Sequence, residues 1–107
     1  MSIEREAREA VVRTAVQLAD QGYLAGVGGN LALRIDAERI AVTPSASDSY
    51  AMSADDICVL RLADLKQLSG HGKPSVESGL HARMFKARPD CRASVHTHQP
   101  VASAFTL

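Results

Sequence analysis

Two histidines that flank a single threonine, His96 and His98, are the residues of this sequence best suited to chemistry, together with Glu77 nineteen positions before them. In an extended strand, side chains two positions apart point to the same face. The two imidazoles can therefore aim at one point. Imidazole is the commonest side-chain ligand of divalent transition metals, and a carboxylate beside such a metal can act as an acid or a base. The pattern predicts metal-assisted chemistry on a small oxygenated molecule.

Simpler interpretations of the same residues remain open. Two polar side chains are also typical of the outer face of an edge strand, and an acid such as Glu77 is favoured in the first turn of a helix by the helix dipole. The apolar segment Ala93–Val95 before the histidines and the strand-ending Gln99–Pro100 after them favour a site at the rim of a sheet. His81, four residues after Glu77, is interpreted as its local hydrogen-bonded partner. His71, between two glycines, is interpreted as a solvated loop residue.

Length and charge exclude several classes of function. The 107 residues suffice for one modest domain, and twelve basic residues balance twelve acidic ones, which gives no electrostatic case for nucleic acid or an anionic membrane. No apolar run approaches the roughly 20 residues of a membrane span. The first residues lack a signal-peptide pattern, so we expect a cytoplasmic protein.

Because the sequence stops within the apolar segment Ala104–Leu107, we expect residues 1–107 to be a single domain that is incomplete at its C-terminus.

Neither cysteine predicts a disulfide or a zinc finger. Cys58 and Cys91 are widely separated and lack a CxxC spacing. Cys58 lies in an apolar run, so we expect a buried, inert thiol.

Hydrophobic periodicity and turn residues predict an α/β or α+β fold with a mostly antiparallel sheet. The predicted helices are Ser2–Gln21, Val76–Arg88 and one that starts at Pro100, with a capped turn at Ser53–Asp56. The predicted strands are Leu31–Ile35, Arg39–Thr43, Ile57–Leu62, Asp64–Leu68 and Arg92–His98.

A glycine-dense loop precedes the first strand. It is not a dinucleotide fingerprint, because Leu31 stands where the third glycine would be and the order is helix, loop, strand. Gly28, Gly29 and Asn30 can nevertheless present backbone N–H groups and a side-chain amide to an anion, and the hydroxyls of Ser45 and Ser75 can join them. Each of these features alone is also ordinary turn chemistry.

Five motifs, in this order and spacing, resemble those of the class II aldolase/adducin family, which includes fuculose-phosphate aldolase and ribulose-phosphate 4-epimerase. The motifs are Gly28–Asn30, Val42–Ser45, Lys73–Glu77, Arg88–Asp90 and His96–His98. The resemblance implies a three-layer α/β/α fold in which helices flank both faces of an antiparallel sheet. It also implies a homo-oligomer, usually a cyclic tetramer with active sites between subunits.

The same resemblance implies the site. Family members bind a divalent metal, typically zinc, through three histidines; Mn²⁺, Co²⁺ or Mg²⁺ are alternatives. The first two ligands match His96 and His98, and the third lies beyond Leu107. The matching general acid/base is Glu77, which can also contact the metal before substrate arrives. The residues that match the phosphate-binding positions are Gly29, Asn30, Ser45, Ala46, Ser75 and Val76.

Two of these positions depart from the family pattern. Val76 replaces a serine and Ala46 replaces a glycine, so a phosphate would lose at least one charge-assisted hydrogen bond, worth about 1.5–3 kcal/mol. We therefore expect a substrate that carries a carboxylate or an aromatic ring in place of a sugar phosphate.

The expected function is that of a metal-dependent lyase acting on a small hydroxy-carbonyl or sugar-phosphate-like substrate. Aldol cleavage and decarboxylation share a metal-stabilised enediolate, and the altered phosphate pocket favours decarboxylation. The alternatives are a sugar-phosphate 4-epimerase and a non-catalytic, adducin-like assembly module. The presence of Glu77, His96 and His98 argues against the module.

Overall fold

One antiparallel sheet organises the structure, a computed structural model that describes residues 2–22, 29–45, 48–96 and 102–105. The helices are α1 (Ile3–Asp20) and α2 (Ser78–Ala87), with a short 3-10 turn at Ala54–Asp56. The strands are β1 (Asn30–Arg34), β2 (Arg39–Val42), β3 (Cys58–Arg61), β4 (Gln67–Ser69), β5 (Ala93–His96) and β6 (Ala102–Phe105). In the described part of the chain they lie in the order β4-β3-β2-β1-β5-β6, and every neighbouring pair is antiparallel.

The two faces of the sheet bury two separate apolar clusters. Alternate residues of a strand point to opposite faces, so Leu31 and Leu33 pack under α1 while Ala32 packs under α2. The cluster on the α1 face also includes Val11, Ala15, Ala41, Ile57, Ala93 and Val95. The cluster on the α2 face also includes Ile40, Val42, Leu60, Ala82, Phe85 and Cys91. The predicted three-layer α/β/α fold is confirmed.

Local signals placed α1 correctly. The Ser2 hydroxyl accepts a hydrogen bond from the backbone N–H of Arg5 at 3.0 Å, as an N-cap does. Beyond the helix, Gly22 has a φ of 86°, the left-handed conformation that favours glycine after a helix C-terminus. The capped turn predicted at Ser53–Asp56 is also present, with the Ser53 backbone N–H donating to Asp56.

Two predicted elements were wrong in type or extent. The segment after Pro100 was expected to be helical, but Ala102–Phe105 is β6, paired with β5 from Ala93↔Phe105 to His96↔Ala102. Pairing to the edge of β5 satisfies backbone groups that a weakly patterned segment could also have satisfied in a helix. The strand predicted at Asp64–Leu68 begins only at Gln67. A turn occupies its first residues, with Leu65 at a φ of 63° and Asp64 accepting from the Lys66 N–H.

The remaining differences are shifts of element ends. The helix predicted at Val76–Arg88 begins at Ser78, because Ser75 first forms a turn that receives the Ser78 N–H and the Ser78 hydroxyl on its carbonyl oxygen. The strand predicted at Arg92–His98 is described over Ala93–His96, and His98 and Pro100 lie outside the described residues. Over the described residues, no helix combines the length and the hydropathy that crossing a bilayer requires.

Arg34, at the end of β1, holds the C-terminal end of α2. Its Nε donates to the carbonyl oxygen of Cys91 at 2.9 Å, and its Nη2 donates to that of Phe85 at 2.8 Å. The guanidinium also lies 5.0 Å from the centroid of the Phe85 ring, within the range of a cation–π interaction. Carbonyl groups at a helix C-terminus lack partners within the helix, and a cation there is favourable. Arg34 therefore fixes how α2 sits on the sheet.

Replacing Arg34 should loosen this junction. We expect Arg34→Met to lower the free energy of unfolding by about 2–3 kcal/mol, because hydrogen bonds from a charged donor contribute about 1.5–3 kcal/mol. Arg34→Lys should recover only part of this, because one ammonium cannot reproduce the planar fork. Denaturant unfolding measures both values.

The matched control is Arg61→Met. Arg61 pairs with Asp64 at 3.1 Å, but both side chains are about half exposed, so its loss should cost under about 1 kcal/mol. Equal losses for the Arg34 and Arg61 variants would contradict the assigned role.

Candidate active site

His81 joins α2 to two strands at the centre of the candidate site. Its ring is fully buried, its Nδ1 lies 2.7 Å from the Ser94 hydroxyl on β5, and its Nε2 is hydrogen-bonded to the side-chain oxygen of Asn30 on β1. The prediction that the side chain of His81 is hydrogen-bonded to Glu77 is therefore wrong. Both ring nitrogens of His81 are engaged by the sheet, which also makes this histidine unsuited to ligating a metal in this arrangement.

The environment of His81 keeps the ring neutral. Burial and, to a smaller extent, the nearby charge of His96 together lower the pKa of His81 from 6.5 to about 4. A neutral imidazole carries one N–H and one lone pair, so it can donate to one neighbour and accept from the other.

His96 ends β5 beside this cluster. It is the cross-strand partner of Asn30, and alternation along β5 places it on the same face as Ser94, towards α2. Its Nδ1 is buried and has no hydrogen-bond partner among the described residues. Buried polar atoms almost always have a partner, so this nitrogen indicates that a water or an ion belongs beside the ring.

Glu77 lies at the same edge of the sheet. It is the N-cap residue of α2 and lies one turn before His81. His81 contacts Asn30, whereas the opposite end of α2 lies against Arg34. The start of β1, the end of β5 and the start of α2 therefore meet. The Glu77 side chain makes no capping hydrogen bond, and its carboxylate forms no ion pair within the described part of the chain. The structure therefore excludes a side-chain capping role for Glu77, and the simpler interpretation of Glu77 as an acid favoured by the helix dipole stays open.

Two loops approach each other at this edge. Pro44 and Pro74 form an isolated antiparallel bridge, and the Ser45 N–H donates to the carbonyl oxygen of Lys73 at 2.6 Å. The approach requires Gly72, where an added Cβ would lie 2.5 Å from the carbonyl oxygen of Asp56. These contacts hold the predicted anion-binding serine loops together.

Ser75 and Glu77 are coupled through the backbone. The Ser75 hydroxyl, which is buried, accepts a hydrogen bond from the Glu77 N–H at 3.1 Å. Gly29, with a φ of 82°, turns the chain into β1 directly before Asn30. The pairing of β1 with β2 continues one residue beyond β2, since the Thr43 N–H donates to the carbonyl oxygen of Leu31, so the start of β1 and the loop after Thr43 lie at the same edge of the sheet.

The predicted site residues fall into three groups. The structure brings Gly29, Asn30, Ser45 and Ser75 to the edge where Glu77 and His96 lie. Val76 is at this edge but is 85% exposed and offers only an apolar side chain. Gly28, Ala46 and His98 lie outside the described residues. Within the described ranges, no three His, Cys, Asp or Glu side chains are grouped closely enough to hold a metal.

Comparison with known proteins identifies the family. The family model for the class II aldolase and adducin N-terminal domain matches residues 9–107. The chain belongs to this family.

Curated members of the class II aldolase/adducin family similar to this chain are named as lyases of several kinds. A 3-oxo-tetronate 4-phosphate decarboxylase of Haemophilus influenzae is 34% identical over 92% of this chain and 46% of the relative. A methylthioribulose-1-phosphate dehydratase of Yersinia enterocolitica is 33% identical over 83% of this chain and 42% of the relative. A 5-deoxy-D-ribulose 1-phosphate aldolase of Bacillus thuringiensis is 32% identical over 95% and 47%. The chain thus spans about half the length of the curated relatives it matches.

Solved structures share the fold. YgbL from Escherichia coli superposes with a TM-score of 0.81 at 30% identity, over 91% of this chain and 46% of that protein. An L-fuculose 1-phosphate aldolase gives a TM-score of 0.79 at 25% identity, over 89% and 45%. The family expected from the five motifs is therefore confirmed.

Protonation of His81 provides a test of its burial. Between pH 6.5, the ordinary pKa, and about 4, the pKa in the fold, the unfolded chain binds a proton that the folded chain does not. The free energy of unfolding should therefore fall as the pH falls through this window, by about 2 kcal/mol between pH 6.5 and 5, since one pKa unit corresponds to about 1.4 kcal/mol.

Denaturant unfolding at fixed protein concentration, at pH 6.5 and pH 5, measures this loss. His81→Gln should remove most of it, whereas His71→Gln, at an exposed position, should retain it. An equal loss in the wild-type protein and in His81→Gln would show that His81 does not titrate as its burial requires.

Proposed function

We propose that the protein is a divalent-metal-dependent lyase that breaks a carbon–carbon bond in a small hydroxy-carbonyl compound bearing an anionic group. The single observation that carries the proposal is the buried Nδ1 of His96, which has no hydrogen-bond partner among the described residues, at the sheet edge where α2 begins after its N-cap residue Glu77. Membership of a family whose similar members are named as decarboxylase, dehydratase and aldolase supports the lyase class.

His96, His98 and Glu77 are the residues that would hold the cation. Two imidazoles and a carboxylate suit zinc first, with Mn²⁺, Co²⁺ and Mg²⁺ as alternatives. The family resemblance implies a third histidine ligand in addition to these residues. A cation held by these residues would supply Lewis-acid polarisation of the substrate carbonyl and would stabilise the negative charge that develops as the bond breaks.

Glu77 moves the proton in this proposal. Its position is fixed twice, by the Ser75 hydroxyl on its backbone N–H and by the burial of His81 one turn later. These contacts hold the backbone of Glu77, and its carboxylate, which has no partner among the described residues, can accept a proton and return it at another atom.

Asn30, Gly29, Ser45 and Ser75 bind the anionic group of the substrate. The three curated relatives carry the word phosphate in their names, which favours a phosphorylated substrate. Because Val76 has no hydroxyl, it cannot donate a side-chain hydrogen bond to that phosphate, so we expect fewer hydrogen bonds from this side of the pocket. A phosphorylated keto acid fits both observations, because its carboxylate provides the group lost on decarboxylation and its phosphate binds at the loops.

The active form in this proposal is a homo-oligomer, a tetramer by the family resemblance, in which a neighbouring subunit completes the site. Sedimentation of the protein at its natural length tests the assembly.

Glu77→Gln should abolish turnover. Loss of general acid/base catalysis costs about 10²- to 10⁴-fold in rate, while the histidines still hold the metal. The assay follows carbon dioxide and aldehyde release from a panel of phosphorylated keto acids, hydroxy acids and ketoses, with metal content measured on the same samples. Glu38→Gln, at an exposed turn, is the control. Normal turnover of Glu77→Gln would refute the assignment.

Metal content tests the ligand set independently of any substrate. His96→Ala should lose most of the bound zinc, because a catalytic zinc site depends on three protein ligands. His71→Ala, an exposed histidine in the loop before α2, should keep it. Full zinc content in His96→Ala after dialysis would place the metal elsewhere.

A further inference from the structure

The contacts of His81 select one orientation of the Asn30 side chain. His81 lies between Ser94 and Asn30 and is buried completely, so water cannot substitute for either contact. A neutral imidazole donates through one nitrogen and accepts through the other. The two neighbours must therefore supply one acceptor and one donor.

Asn30 presents its side-chain oxygen to Nε2 of His81. An amide oxygen only accepts, so Nε2 carries the proton and Nδ1 accepts from the Ser94 hydroxyl, which lies 2.7 Å away. The oxygen of Asn30 is then used within the protein. Its NH₂ group has no hydrogen-bond partner in the described part of the chain and remains available as a donor.

The opposite arrangement would present the wrong atom. If Nδ1 carried the proton and donated to Ser94, Nε2 would accept from the Asn30 NH₂ group, and the amide oxygen would be the free atom. An oxygen lone pair repels an anionic oxygen, whereas two N–H groups stabilise it. The tautomer of His81 thus determines whether Asn30 can bind an anion at all.

We propose that His81 is a positioning residue for substrate binding: by donating from Nε2 it holds the Asn30 amide with its NH₂ group directed at the oxyanion of the substrate. This inference rests on the proposed anion site at Asn30. His81 itself does not touch the substrate. The arrangement requires no rearrangement when the anion binds, which is the advantage of a preorganised donor.

The first test is spectroscopic and uses the wild-type protein at its natural length with ¹⁵N-labelled histidine. The ring nitrogens of His81, assigned by their absence from the spectrum of His81→Gln, should show a protonated Nε2 and an unprotonated Nδ1 at neutral pH. A protonated Nδ1 with an unprotonated Nε2 would overturn the inference.

The second test is the affinity for inorganic phosphate, measured by calorimetry. His81→Leu should weaken binding about tenfold, since a hydrogen bond to a charged group is worth that much or more. His81→Gln should recover most of the affinity, because its amide nitrogen can replace Nε2 as the donor. Phe85→Leu is the control for general loosening of α2, because Phe85 is buried on the same helix without contacting Asn30; its phosphate affinity should equal that of the wild type.

Asn30→Ala distinguishes a wrong role for His81 from a wrong anion site at Asn30. If Asn30→Ala weakens phosphate binding and His81→Leu does not, the role of His81 is wrong and the anion site stands. If Asn30→Ala binds phosphate as tightly as the wild type, the anion site is wrong and the inference falls with it. If His81→Leu does not fold, the tautomer and the phosphate affinity of His81→Gln decide.

Discussion

The burial of His81 between Asn30 and Ser94 is the interaction on which the arrangement of this edge depends. It connects the first turn of α2 to the neighbouring strands β1 and β5, through contacts 51 and 13 residues apart in sequence. A buried imidazole is tolerated only if both nitrogens are satisfied, so the ring fixes the distance and the rotation of α2 on the sheet. Glu77 lies one helical turn before His81, so the same contacts also fix the position of its backbone. His96, the strand partner of Asn30, lies at the same edge for the same reason.

The two faces of the sheet have different roles, one in packing and one in carrying the polar groups of the candidate site. Odd positions of β1 and β5, such as Leu31 and Val95, bury apolar side chains against α1 and provide cohesion. Even positions, Asn30, Ser94 and His96, point towards α2 and carry polar groups at the end where the strands stop. Further along the same face, Ala32 and Phe85 restore an apolar contact, and Arg34 closes the far end of α2. The polar cluster is therefore small, local and supported on both sides by a packed core, as a preorganised site requires.

Much of this was predictable from local patterns. The N-cap at Ser2, the glycine after α1 and the alternation in β1 all follow from spacing between near neighbours, whereas the ligand pair at His96 and His98 stays a prediction. The five motifs also identified the family. Sequence reasoning failed where the decisive partner is distant. Glu77 is the obvious neighbour of His81 along a helix, but the ring instead meets Asn30 and Ser94, and the only signal was that Ser94 and His96 share a strand face. Likewise, Ala102–Phe105 is weakly patterned, and pairing with β5 decides that it is a strand.

The central claim is that Glu77, His96 and His98 surround one divalent cation. Anomalous X-ray diffraction from zinc-loaded crystals of the protein at its natural length tests it most directly. The account predicts a zinc peak about 2.0–2.1 Å from a ring nitrogen of both His96 and His98, on the side of the sheet that carries α2 and within reach of the Glu77 carboxylate. A fully occupied zinc peak bound elsewhere, with His96 and His98 turned away from it, would contradict the account.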